Sequence, residues 1–594
     1  MSDGKLCPGL NQAIAAGSLS DLLLNSPSEW LQRPMLRYRD ESGEWRGLNR
    51  ITVQQRVLRL AAWLESQGVK PGDRVGILGH NSVPWFIADF AILRLGAVTV
   101  PAYFTDPAES VAYVFNDAGC KLILVEAGEQ QQKLVGVEIK SVLFSGEGEC
   151  VDSISRDEQW DSGPKTVPPD RDALATLIYT SGTTGSPKGV MLTHKNLLTD
   201  VAAGLGGVPV WPDDLFLSFL PVSHAFERTV GHFLVVSSGS EIAYAEDVTT
   251  LMRDMPEVKP TVMISVPRLY EKIYSGVNAK MEASAVKKFL FDKAQALGME
   301  RFELRQKGKE LDGAKAVVWK VLDHLVNAKL REKMGGNLRL FVSGGAALSP
   351  AIARFLLAAD ITVLPGYGLT ETSPVLSVNT EAMIKPESVG RALPGVNLKQ
   401  ADDGELLVRG PMVMSGYWNK PDETAAVLES DGWLHTGDIV EIDSEGFVKI
   451  VDRKKEIMVL TNGENVPPAI IEQHLAQDRV ILQSMVIAEN RSYVAALIVP
   501  DMDGMRLAWK KDHGGSLPVD WKTNSVMHHW MLERMRLDEH DLPSYMQVKH
   551  FAFVEDEWTQ ANGMLTPTLK VKRRMICELH AAKIEGLYPD GELT

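Results

Sequence analysis

Cysteine is scarce in this 594-residue chain: Cys7, Cys120, Cys150 and Cys577 lie far apart and form no C-x-x-C pair. That excludes a disulfide framework and a thiolate zinc site, and fits a reducing compartment. Long apolar runs are missing as well, since no stretch reaches the roughly 18 uninterrupted apolar residues that a membrane-spanning helix needs. Residues 1–20 lack the basic-then-apolar pattern of a secretory leader, so the expected location is cytoplasmic, at most peripheral on the cytoplasmic membrane face. Positive charge is in deficit: 62 Lys and Arg face 77 Asp and Glu, and the net −15 argues against a nucleic-acid partner. No internal repeat is present. What remains is 45% apolar and 23% charged residues, ordinary for a globular chain, and too many residues for one core, so two or more domains are expected.

Against that background stands Leu177-Ile178-Tyr179-Thr180-Ser181-Gly182-Thr183-Thr184-Gly185-Ser186-Pro187-Lys188-Gly189-Val190-Met191-Leu192, a hydroxyl- and glycine-rich loop between two apolar runs. Its glycines permit close backbone approach, hydroxyls such as those of Thr180, Ser181, Thr183 and Thr184 can donate hydrogen bonds, and Lys188 supplies a point charge for phosphate. Pro187 before the lysine and apolar residues after it exclude a Walker A loop, which opens a helix. Strand, loop, strand is the local expectation, with a flexible Ser/Thr linker as the alternative.

Upstream, Val53 to Leu64 has helical apolar spacing and leads through Lys70-Pro71-Gly72-Asp73 to the strand-like run Val75–Leu78. The alternation repeats through Trp85–Leu95, Ala97–Pro101, Ser110–Ala118 and Leu122–Val125, which argues an α/β layered core. Residues 146–171 read as a polar surface connection. Downstream, Thr193 can cap a helix from about His194 to Leu205, and Leu220-Pro221-Val222-Ser223-His224-Ala225-Phe226-Glu227-Arg228 places a histidine in an apolar run. Residues 272–333 hold eleven Lys and three Arg against eight acidic residues. This segment reads as helices, with Val286, Phe289, Leu290, Ala294 and Leu297 as one apolar face; a solvated insertion and a membrane-surface patch both fit.

Two further strands deliver unusual turns. Leu338–Val342 leads to Ser343-Gly344-Gly345-Ala346-Ala347, small residues that leave room for a flat ligand at a strand's carboxyl end. Ile361–Leu364 leads to Pro365-Gly366-Tyr367-Gly368-Leu369-Thr370-Glu371-Thr372, offering a ring for stacking, a hydroxyl for phosphate and a hard carboxylate suited to magnesium. Later, Gly432-Trp433-Leu434-His435-Thr436-Gly437-Asp438 ends in a carboxylate able to bind two ribose hydroxyls. Both this stretch and Phe447–Glu456 also fit hairpins with charged turns.

The 180–188 loop resembles the phosphate loop of AMP-forming acyl-adenylating enzymes, and Tyr367–Glu371 matches that family's Y-G-x-T-E signature. The likeness spans about residues 50–580. It implies an α/β fold: a large amino-terminal domain of layered sheets and helices with a β-barrel-like part, residues 1–451, and a small mobile α+β carboxyl-terminal domain, residues 452–594. It also implies roles. Thr180, Ser181, Gly182, Thr183, Thr184, Lys188, Gly344, Gly345, Ala346, Tyr367, Gly368, Asp438 and Arg453 would bind ATP or AMP. His224, Thr370, Glu371 and Lys570 would be catalytic, with Thr183 and Glu371 at the magnesium. Asp452 would be the hinge, and Gly463 would line the CoA path. At Leu565-Thr566-Pro567-Thr568-Leu569-Lys570-Val571-Lys572-Arg573-Arg574, Leu569 stands where many relatives have glycine, and the spacing favours Lys570 over Lys572; a basic surface strand is the alternative. Segment Val266–Ile273 and the Thr566–Lys570 variant look like the long-chain branch. The expected activity is therefore ATP-dependent activation of a medium- to long-chain fatty acid and its transfer to CoA, with Mg2+. A carrier-protein acceptor, another carboxylic acid, a luciferase-like oxygenase and a nucleotide-sensing protein without catalysis share the motifs.

Overall fold

Short apolar strands alternate with helices through the first two thirds of the chain, and most of these strands are buried on both faces, as parallel pairing between helical layers demands. A computed structural model describes residues 7–180, 187–282, 284–560, 562–566 and 571–588. Two large sheets result. The first has nine strands, with a parallel centre ordered Thr362–Gly368, Leu340–Ser343, Val262–Ser265, Leu215–Ser218, Glu241–Tyr244 and Pro34–Arg39. The second has six strands, from Lys140–Leu143 to Lys188–Thr193, all parallel except the last.

Local signals place their elements well. Asn49 accepts the Thr52 amide and opens helix Arg50–Ser66, while Thr193 and Asn196 cap helix His194–Gly207 reciprocally. Residues 146–171 are less of a plain connection than expected. They contain helix Val151–Arg156, whose Val151 and Ile154 are buried in the main core.

A four-stranded antiparallel sheet from Asn397–Gln400 to Val448–Arg453 stands where the barrel-like part is expected. Backbone bonds from Val389 to Val448 and from Val448 to Gly390 join it to the large sheet's antiparallel end. Beyond Arg453 the chain builds a separate core. There Leu460, Ile471, Val486, Ile498, Met531 and Phe551 pack together about a three-stranded sheet, Ile481–Ile487, Ala495–Pro500 and His550–Phe553.

The insertion is helical, as Pro267–Glu282, Ala285–Gln306, Gly313–Leu322 and Ala328–Lys333. Its buried face is a correction. Helix Ala285–Gln306 buries Phe291, Ala294 and Gly298, whereas Val286 and Phe289 are exposed. Gly298 decides this. A Cβ there would lie 1.9 Å from the Ala358 carbonyl oxygen, so the helix meets helix Pro350–Ala358 backbone to backbone and is turned by that contact.

Candidate active site

Neighbouring parallel strands of the nine-stranded sheet end side by side and deliver their loops to one cavity of about 1890 Å3. Ser218 precedes Leu220–His224, Ser265 precedes Val266–Arg268, Ser343 precedes Gly344–Ala346, and strand Thr362–Gly368 carries Tyr367 itself. Open α/β sheets hold ligands at this edge. The lining combines Gly345, Ala346, Tyr367, Gly368, Asp438 and Arg453 with apolar Ile273, Val277, Met281, Phe291 and Leu330 from the insertion. Gly345 has a φ of +78°, the turn that a small-residue run allows.

Asp438 and Arg453 face each other as register partners in the four-stranded sheet, with Arg453 Nε 2.9 Å from Asp438 Oδ1. Tyr367 Oη donates to Asp438 Oδ2 at 2.5 Å. Burial and the neighbouring carboxylate push the Tyr367 phenol well up, so it remains the donor. Asp452, one residue before Arg453, is buried; its Oδ1 accepts the Arg453 amide at 2.7 Å and its Oδ2 the Ala469 amide at 3.1 Å. Burial pushes this carboxyl up to about 6.

The strands flanking the expected phosphate loop pair with each other: Leu174–Thr180 runs antiparallel to Lys188–Thr193, and Thr180 sits opposite Lys188. Ser181, Gly182, Thr183 and Thr184 lie outside the described residues, as does Lys570. Lys188 Nζ is 2.5 Å from Glu423 Oε2 and lies over the Tyr417 ring. Tyr417 Oη donates to Glu371 Oε1 at 2.9 Å, in the short turn Thr370–Thr372. Lys188, Thr370 and Glu371 are not part of the large cavity's wall, nor is Gly463, which turns with φ +86° between Met458–Val459 and Asn465–Val466.

His224 lines the cavity, and its Nδ1 accepts the Phe226 amide at 3.2 Å. While neutral, the ring therefore carries its proton on Nε2.

Comparison with known proteins bears on this geometry. The AMP-binding enzyme model matches residues 26–418, and the AMP-binding enzyme C-terminal domain model matches residues 455–515. The chain belongs to the AMP-binding enzyme family. It is 34% identical to the long-chain-fatty-acid–CoA ligase FadD15 of Mycobacterium bovis, over 92% of this chain and 93% of the relative. It is 31% identical to long-chain-fatty-acid–CoA ligase 5 of Rattus norvegicus, over 94% and 86%. Its fold is that of the anthranilate CoA ligase AuaEII in complex with anthranoyl-AMP, at TM-score 0.74 and 18% identity, covering 95% of this chain and 98% of that one.

This AMP-binding enzyme also has a buried polar scaffold that its motifs do not reveal. The π-helical turn Glu227–Phe233 begins three residues after His224 and bonds to a strand of each large sheet, at Ser218 and Thr176. Arg228 binds Asp89 with two hydrogen bonds, Nε to Oδ2 at 2.9 Å and Nη2 to Oδ1 at 2.5 Å, and donates to Thr176 Oγ1 at 2.7 Å. Thr99 donates to Asp89 as well, so this pair's charges are closely matched by partners. On the opposite side, Asn81 donates to Ser218 Oγ at 3.1 Å and Ser218 donates to Glu227 Oε1. Asn81 also donates to the Leu220 carbonyl at 2.6 Å and accepts the Val222 amide at 2.9 Å, bracketing the loop before His224. The adjacent charges Glu227-Arg228 inside an apolar run were the sequence signal for this scaffold. Their partners, from Asn81 to Thr176, lie too far along the chain to be paired from pattern.

Proposed function

We propose that this enzyme joins a medium- to long-chain fatty acid to CoA in two steps, through an acyl-adenylate, releasing pyrophosphate and then AMP. The observation that carries the reading is the single cavity whose wall includes Tyr367, Asp438 and Arg453 together with Ile273, Val277, Met281, Phe291 and Leu330. A nucleotide and a hydrocarbon chain can share such a chamber with the carboxylate between them. The names of the long-chain ligases above support the same substrate class.

In the first step a carboxylate oxygen attacks the α-phosphorus of ATP and pyrophosphate leaves. The carboxylate is already a nucleophile, so the site must neutralise charge and align groups rather than remove a proton. Lys188 and the hydroxyls of Thr180, Ser181, Thr183 and Thr184 serve the phosphates, with Thr370 and Lys570. Gly344, Gly345, Ala346, Gly368 and the Tyr367 ring receive the adenine, Asp438 the ribose, and Arg453 the nucleotide. His224 orients the substrate carboxylate through Nε2.

Glu371 presents a hard carboxylate in the family motif, where its Oε1 accepts the Tyr417 hydroxyl at 2.9 Å. That fits Mg2+, which is commonly held by one or two carboxylates and the substrate's own phosphates. With Glu371 and Thr183 holding it, the ion would supply charge neutralisation at the polyphosphate.

In the second step the CoA thiolate attacks the acyl carbonyl and AMP leaves. Asp452 is the hinge between residues 1–451 and 452–594, and its bond to Ala469 ties the two parts in the present arrangement. A rotation there withdraws Lys570 and brings in the loop of Gly463. The test is AMP release with ATP and a panel of acids, with and without CoA. CoA-dependent turnover of dodecanoate or palmitate far above acetate supports the reading. Adenylate that is discharged only to a carrier protein, or equal turnover of acetate, overturns it.

A further inference from the structure

The second step releases a proton, and the residues that serve the first step are poor acceptors for it. A thiol at its ordinary pKa of about 8.5 is mostly S–H at neutral pH, whereas the thiolate is the nucleophile. His224 is not the acceptor, because its Nδ1 takes the Phe226 amide and its Nε2 therefore carries the ring proton while neutral. Among the wall's carboxylates, Asp438, Glu246, Glu271 and Glu472 each face an arginine.

His80 lines the same cavity and has the opposite proton arrangement. It follows strand Arg74–Leu78 of the six-stranded sheet, and Glu126 follows the neighbouring parallel strand Cys120–Val125. Both therefore stand at that sheet's carboxyl edge, where open α/β sheets hold ligands. Gly79 permits the close approach: a Cβ there would lie 2.9 Å from the Glu126 Cβ and 2.5 Å from the Phe144 ring. Glu126 Oε2 accepts the His80 amide at 2.9 Å and pairs with His80 Nδ1 at 2.6 Å. Burial raises the Glu126 carboxyl, but the two bonds from His80 outweigh it and hold the group below its usual range. A carboxylate can only accept, so Nδ1 carries the proton and, in the neutral ring, Nε2 carries the lone pair. Among the described residues no hydrogen bond ends on Nε2, and the His80 side chain is 43% exposed. The His80 ring lies against Phe104, with centroids 4.1 Å apart, and the adjacent Tyr103 ring is 6.4 Å from that of His224. Asn81, the next residue, donates to the Leu220 carbonyl. The acceptor histidine and the donor histidine thus share one end of the cavity.

We propose that His80, oriented by Glu126, is the base that takes the thiol proton in the thioester-forming step, an inference that rests on the CoA reading above. The thiol proton passes to His80 Nε2, and the electron pair left on sulfur forms the bond to the acyl carbonyl carbon. The bond from that carbon to the phosphate oxygen of AMP breaks, and AMP leaves with the electron pair. Glu126 stays ionised and steadies the imidazolium, which then loses its proton to solvent.

The test separates the half-reactions: thioester formation from supplied dodecanoyl-adenylate and CoA, against ATP–pyrophosphate exchange with dodecanoate alone. His80→Gln should lower kcat of thioester formation by roughly a hundredfold with little change in KM for CoA, and should spare the exchange. The other titratable groups at this end are His224, Tyr103, Asp106, Lys133 and Lys572; burial pushes Asp106 up to about 6, so rates are compared above pH 7. There the variant should accelerate about tenfold per pH unit toward the thiol's own pKa, so that its deficit against the wild type shrinks. Glu126→Gln should slow the same step less, and adding it to His80→Gln should cost little more. Equal losses in both half-reactions, a raised KM for CoA at unchanged kcat, or a deficit independent of pH overturns the proposal. Wild-type thioester formation that His80→Gln leaves intact defeats the base alone. A wild type that exchanges pyrophosphate yet transfers nothing to CoA defeats the reading above and the base with it.

Discussion

Ser218 donates to Glu227 Oε1 at 2.6 Å, and both side chains are closed to solvent. Through this bond the large sheet holds the turn that follows His224. Burial pushes the Glu227 carboxyl up to about 8, so at neutral pH it is protonated and the scaffold carries no stray negative charge.

Glu227→Gln should therefore change stability in a pH-dependent way. The unfolded carboxyl titrates near 4.5 and the folded one near 8, so the folded chain holds the extra proton between them. That stability is complete below about pH 4.5 and is lost as pH rises through about 8. Each pKa unit corresponds to about 1.4 kcal/mol, so the neutral glutamine variant should gain a few kcal/mol on the wild type across this window. Melting temperatures measured from about pH 5 to pH 9 check it. A difference that does not change with pH would mean that Glu227 does not titrate there.

Glu423→Gln should lower the KM for ATP. Lys188 is partnered by Glu423 at 2.5 Å, and a phosphate must compete with that carboxylate. Both side chains are a third or more exposed, so solvent screens the pair and the gain should be modest, a fewfold at most. Lys188→Ala should instead slow adenylation strongly. An unchanged KM in the Glu423 variant would mean that the lysine leaves its partner at no cost.

Lys570→Ala should abolish ATP–pyrophosphate exchange yet spare thioester formation from supplied acyl-adenylate. Asp452→Ala, which removes the acceptor of the Ala469 amide, should alter the two half-reactions unequally. Equal losses in both half-reactions would remove Lys570 from its single-step role and Asp452 from the hinge.

Met281→Trp should shorten the preferred acyl chain by filling the apolar part of the cavity. Each buried methylene contributes about 0.8 kcal/mol, so wild-type kcat/KM should rise roughly three- to fourfold per carbon until the chamber is full. The variant should reach its plateau at a shorter acid. A plateau at the same length would place the chain elsewhere.

The family was legible from short stretches of the chain alone. Thr180 to Lys188, Gly344 to Ala346 and Tyr367 to Glu371 announce themselves because a strand's apolar run breaks into residues chosen for backbone freedom or charge. What could not be read depends on contacts between distant segments. Tyr417 meets Glu371 and Glu423 meets Lys188 across long loops, and Asp89 meets Arg228 across 139 positions. The face of helix Ala285–Gln306 escaped for another reason: its orientation is set by Gly298, whose missing side chain carries no hydrophobic signal.

The Asp438–Arg453 rung has one more consequence. These two residues share a ladder position, and Asp452, next to Arg453, holds the Ala469 amide of the small part. A nucleotide held at the rung, as proposed above, would therefore be coupled to the orientation of residues beyond 453 over a single peptide link. By thermodynamic reciprocity, whatever arrangement of the small part tightens AMP is itself favoured by AMP to the same extent. Under the proposed function, losing the nucleotide would withdraw that preference by the same free energy, which ties the setting of the small part to the occupancy of the rung.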